Sequence, residues 1–152
     1  MKETRWLSES EQASWLAFLR ANKLFNDRLD RDLQDQFHIS LPEYEVLAML
    51  SAEPMGLRMA TLAEITVSSK PRTTHCVDRL AKQGYVQRQN CPTDKRGLFA
   101  QLTPAGRALL KKMAPIHVEG VHTHFIDQMT ETQRKTLTTV MRNIETSVTT
   151  TD

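Results

Sequence analysis

Apolar side chains fall at Trp15, Phe18, Leu19, Phe25, Leu29, Leu33 and Phe37. This spacing follows one face of a helix and predicts a long first helix over residues 8–37. Ser8 with Glu11 forms an S-x-x-E capping box at its start. Asn22 and Asn26 interrupt the apolar face. Ser40 with Glu43 repeats the capping pattern, and Pro42 is tolerated in a first helical turn. The second helix carries Tyr44, Val46, Leu47 and Leu50, and Pro54 and Gly56 end it.

A short helix is predicted near residues 60–66, with Leu62, Ala63 and Ile65 apolar. Val67 and Ser68 make a tight connection, and Ser69 caps a further helix over residues 70–83, closed by Gly84. Two short helices so joined make a helix-turn-helix. Tyr85–Gln89 and Leu98–Leu102 alternate as short strands around a turn at residues 90–97. Thr103 then caps a helix over residues 104–128, and Thr130 caps a last one carrying Leu137, Val140, Met141, Ile144 and Val148. The expected fold class is mainly α with a small β-hairpin wing, a winged helix-turn-helix between long terminal helices.

Charge sharpens this picture. Residues 56–107 hold nine Lys/Arg against three acids, a balance of +6. The whole chain is only +2, so its remainder carries −4. A basic middle between acidic flanks points to a polyanion-binding face. The second helix of a helix-turn-helix enters the major groove by its N-terminal turns. Thr73, Cys76, Val77 and Leu80 form its inward face, and Lys70, Pro71, Arg72, Thr74, His75, Asp78 and Arg79 its outward one. Arg72 suits a bidentate contact to guanine; Thr74 and His75 suit hydrogen bonds or methyl contacts. Ser68 and Ser69, at the helix N-terminus, suit a phosphate. In the turn, Arg96 is expected to enter a minor groove, with Lys95 on the backbone and Gly97 easing the exit of the chain. Asp94 is expected to support the wing by accepting turn N–H groups or by holding an arginine.

LPEYEVLAML at 41–50, CVDRLAKQGYVQR at 76–88, PTDKRG at 92–97 and LTPAGR at 102–107 together resemble the MarR family of transcriptional regulators. The resemblance runs over nearly the whole chain. It implies a homodimer of intertwined terminal helices that binds a pseudo-palindromic double-stranded DNA operator. It also implies repression, often released by a small aromatic or phenolic effector. The chain then divides into an N-terminal dimerisation helix at 1–38, a DNA-binding region at 39–107 and C-terminal dimerisation helices at 108–152, all within one unit. Thr73 departs from the apolar residue common in relatives, and Pro71 and Arg72 from small ones, so no relative's operator carries over.

An effector cleft is expected between the first two helices and the start of the fifth, with Trp15, Phe18, Asn22, Tyr44 and His117 as candidate lining. Packing is the competing assignment for each. His117 and His124 are seven residues apart, beyond helical metal-ligand spacing, and no metal site is expected. Cys91 in the wing is a redox candidate, while Cys76 is expected to be buried. A thiol- or metal-responsive repressor of the same fold, and a winged helix that binds a protein, are the alternatives. No phosphate loop or nucleophile elbow is present, so no enzyme and no required cofactor is expected. With neither a secretory h-region nor a membrane-length apolar run, a cytoplasmic location is expected.

Overall fold

The computed structural model describes residues 3–90 and 98–150. Its order is α1 (Glu9–Phe37), α2 (Leu41–Ser51), β1 (Leu57–Arg58), α3 (Met59–Ile65), α4 (Lys70–Lys82), β2 (Val86–Asn90), β3 (Leu98–Leu102), α5 (Pro104–His124) and α6 (Glu131–Thr149), with a 3-10 turn at Ile126–Gln128 before α6. Mainly α with a small antiparallel sheet, it is a winged helix-turn-helix.

Side-chain caps fix where the helices begin. Ser8 and Glu11 close a reciprocal capping box at α1, as do Ser40 and Glu43 at α2 and Thr130 and Gln133 at α6. The LTPAGR stretch does three things at once. Thr103 Oγ1 donates to the Gly84 carbonyl (2.7 Å) and accepts from the Gly106 N–H (3.0 Å). The Thr103 N–H donates to the Tyr85 carbonyl, joining the α4 exit to the α5 entry. Gly106 has to be glycine, because a Cβ there would lie 2.1 Å from the Tyr85 oxygen.

Leu33, Ile39, Leu47, Leu50, Leu62, Leu80 and Met113 are almost fully buried in one apolar cluster shared by the helix-turn-helix, the sheet, α1 and α5. Each such side chain stabilises the fold by roughly 1.5–3 kcal/mol.

Two expectations need correction. A third strand exists: β1 pairs with β3, Leu57 opposite Ala100, giving the order β1-β3-β2. α5 stops at His124 rather than at residue 128. Phe125 leaves the helix with φ −132° and stacks on Phe25 at 5.5 Å between centroids. The apolar pattern thus runs across a helix end. Along α1, Leu29 and Leu33 are buried, whereas Trp15, Phe18 and Leu19 are exposed in the protomer.

Glu43 is the polar group at the centre of this packing, only 1% exposed. Its Oε2 accepts from the Ser40 N–H (2.8 Å) and hydroxyl (2.7 Å). Its Oε1 lies 3.1 Å from Arg79 Nε, close enough for ion pairing but outside hydrogen-bond geometry. Arg79 is half exposed, so the two partners are unequal. Removing the arginine strands a buried charge, which costs about 3–5 kcal/mol. Removing the charge of the acid leaves a cation that can turn to water. Arg79→Met is therefore expected to lower stability by ~3 kcal/mol or more. Glu43→Gln, which keeps the cap, should cost less, and the double variant should recover most of the Arg79→Met loss. Urea unfolding of the three variants checks the order; equal losses for both single variants would contradict it.

Candidate nucleic-acid interface

The helix-turn-helix presents α4 by anchoring its inner face. Thr73, Cys76, Val77 and Leu80 are buried, and Thr73 Oγ1 donates to the Ser69 carbonyl at 3.1 Å. That hydrogen bond lets a polar residue sit in an apolar seat. Ser69 Oγ caps α4 by accepting the Arg72 N–H at 3.4 Å. These four buried positions fix which face of α4 points outward. Ser69, Lys70, Pro71, Arg72, Thr74, His75 and Arg79 are exposed, and Ser68 is half-buried.

Two arginines of this head have partners that their position in sequence did not disclose. Arg79 pairs with Glu43 of α2, and Arg88 Nη2 lies 2.9 Å from Asp78 Oδ1. Partial desolvation raises the carboxyl of Glu45 on α2 although the residue as a whole is exposed, and the Arg72 charge partly opposes this. Burial raises the Cys76 thiol, with a further contribution from the Glu43 carboxylate, so Cys76 is a weak nucleophile.

The base of the hairpin is well fixed. β2 and β3 pair from Val86 opposite Leu102 to Asn90 opposite Leu98. Gln101 accepts from Gln87 (2.8 Å) and Gln89 (3.0 Å) and donates to the Pro54 carbonyl (2.7 Å). The Arg58 guanidinium carbon sits 5.7 Å from the Phe99 ring centroid. Cys91, Asp94, Lys95, Arg96 and Gly97 lie outside the described residues.

Of the five candidate cleft residues, the structure brings Tyr44 and His117 together, their ring centroids 4.4 Å apart. Burial lowers the His117 pKa and raises that of Tyr44. His117 Nδ1 is buried and finds no hydrogen-bond partner among the described residues. Trp15 and Phe18 stack on each other at 6.0 Å on the exposed face of α1, and Asn22 accepts from Asn26 at 3.0 Å. A cleft of about 560 Å³ opens instead between α1, α2 and α4, walled by Asn26, Asp30, Glu45, Arg72, His75 and their neighbours. No cluster of three or more His, Cys, Asp or Glu placed to hold a metal occurs among the described residues. No helix among them is long and apolar enough to cross a membrane.

The model of the MarR family matches residues 39–98. Over 101 residues the chain is 32% identical to the HTH-type transcriptional regulator YkoM of Bacillus subtilis, covering 66% of this chain and 64% of that one. The likeness to solved structures is longer. Sco3205 of Streptomyces coelicolor, a MarR family transcriptional regulator crystallised with DNA, is 39% identical with a TM-score of 0.91, over 95% of this chain and 91% of that one. AbsC, a MarR family regulator of the same organism, is 38% identical with a TM-score of 0.90, over 95% and 98% of the two chains. With its helix-turn-helix, its three-stranded wing base and this extent of identity, the chain belongs to the MarR family of transcriptional regulators.

Proposed function

We propose that this chain is a homodimeric repressor that sets α4 of each protomer into the major groove of a pseudo-palindromic operator. The observation that carries this reading is the outward face of α4. Lys70, Arg72, Thr74 and His75 are exposed at its N-terminal turns, and the buried side chains behind them hold the helix in register. The cap residues Ser68 and Ser69 and the positive helix end suit a backbone phosphate. Sco3205, alike over nearly its full length, was solved on DNA. From the sequence alone, Arg96 is assigned a minor-groove contact and Lys95 a phosphate contact, both residues lying outside the described ones.

Dimerisation explains the apolar surface. Trp15, Leu16, Phe18, Leu19 and Leu24 on α1, Val118 on α5, and Val140, Ile144 and Val148 on α6 are all exposed in one protomer. α6 buries no residue there. An amphipathic helix without an intramolecular cover is stable when a second copy covers it. The two reading helices of the dimer then meet grooves one helical turn apart, about 34–36 Å.

The effector belongs beside Tyr44 and His117, with Trp15, Phe18 and Asn22 closing over it in the dimer. The unsatisfied Nδ1 of His117 offers a phenolic or carboxylate ligand a polar partner on an aromatic wall.

Arg72→Ala is expected to weaken operator binding about tenfold or more and to change base preference at one position of each half-site. Competition binding across operator variants checks this, and an equal loss on every sequence would reduce Arg72 to a phosphate contact. Arg96→Ala should weaken binding at physiological salt and lower the salt slope by about one, with folding unchanged. Wild-type affinity and slope would rule out the wing contact. The His117 environment has its own test. Its folded-state pKa lies below the ordinary value, so the unfolded chain binds the proton more readily. Stability is then full above about pH 6.5 and falls as pH drops through that value. His117→Phe should flatten this acid-side fall, measured by urea unfolding from pH 7.5 to 5.

A further inference from the structure

The turn between α3 and α4 carries a residue that local energetics disfavour. The Val67 N–H donates to the Glu64 carbonyl at 3.0 Å, and the Ser68 N–H donates to the Ala63 carbonyl at 2.9 Å. With Thr66 as C-cap, these two bonds make a Schellman ending to α3. Its geometry requires a left-handed residue just past the cap, and Val67 supplies it at φ +48°. Glycine takes this conformation freely and asparagine tolerates it. A β-branched residue there is an outlier.

Among the described residues, burial of the side chain does not offset that strain. The Val67 side chain is 93% exposed, more than any other large apolar residue among those described. α3 packs chiefly on α2, α4, β1 and β3, so the turn belongs to the reading head and not to the apolar faces of α1 and α6. It stands two residues before the Ser69 cap, at the end of α4 that meets base edges in this motif. Backbone strain that the fold itself does not need gathers at functional sites.

We propose that Val67 is a specificity-determining residue that packs its isopropyl group on a thymine 5-methyl at the edge of the groove α4 enters. The inference rests on the DNA-binding reading above and goes beyond it. The chemistry selects the partner: Val67 has neither charge nor hydrogen-bonding group for a phosphate, and the 5-methyl of thymine is the apolar group that a major groove displays. Val67 therefore adds an apolar base contact to the polar ones of Arg72, Thr74 and His75.

The test uses the full chain, its selected operator, and the variants Val67→Gly and Val67→Asn. Each thymine of a half-site is replaced in turn by deoxyuridine, which lacks only the methyl. Both variants are expected to fold with a melting temperature equal to the wild type or up to about 4 °C higher, because the strain is released. Both should bind the operator roughly four- to fifteenfold more weakly, the worth of one or two buried methyl contacts. The wild type should lose a similar factor at one deoxyuridine position, and the variants should lose nothing further there. Wild-type affinity in both variants, or a wild type indifferent to every deoxyuridine, would overturn the proposal. A marked fall in melting temperature would overturn the strain argument behind it. If the wild type binds its operator tightly, those failures concern Val67 alone. If it binds no duplex, the regulator reading itself fails and this proposal falls with it.

Discussion

The seating of α4 is the constraint on which the rest of this molecule depends. Val77 and Leu80 are fully buried, Thr73 and Cys76 nearly so, and Arg79 is paired with the buried carboxylate of Glu43. Glu43 serves two elements with its two oxygens: one completes the cap of α2, and the other faces α4. Hydrophobic side chains alone set how deep a helix sits but leave some freedom to slide. A buried carboxylate tied to Ser40 on one side and to Arg79 on the other adds a fixed point along the axis. The exposed residues of the reading face inherit their direction from that arrangement.

Much of this was legible in sequence because local chemistry determines it. The boxes at Ser8–Glu11 and Ser40–Glu43 place two helix starts, and Ser69, Thr103 and Thr130 place three more. The four inward positions of α4 follow from helical spacing, and all four are buried. What could not be read depends on distant partners. β1 is two residues long and becomes a strand only because Ala100 and Phe99 of β3 lie beside it. The pairing of Arg79 with Glu43 crosses 36 positions, so its place on the outward face gave no sign of a partner. Periodicity marked the stripe from Trp15 to Phe37, broken by Asn22 and Asn26, without saying which molecule covers each part. The strain at Val67 was equally hidden. The tight connection was visible, but a left-handed valine is not what a sequence rule places there.

Energy is distributed unevenly over the chain. The core holds the reading head, α1 and α5 together through Leu29, Leu33, Leu47 and Met113. The outer half of α1 and all of α6 gain little within one protomer. Tyr44 and His117 stand between these regions, with the buried Nδ1 unsatisfied.

The decisive measurement is selection of bound duplexes from a random pool by the intact chain. The expected outcome is an inverted repeat whose half-site centres lie one helical turn apart, about 10 base pairs, bound by two protomers. Recovery of a single unpaired half-site bound by one protomer would contradict the dimeric arrangement. Recovery of no sequence at all, even at low salt, would contradict the DNA-reading role of α4.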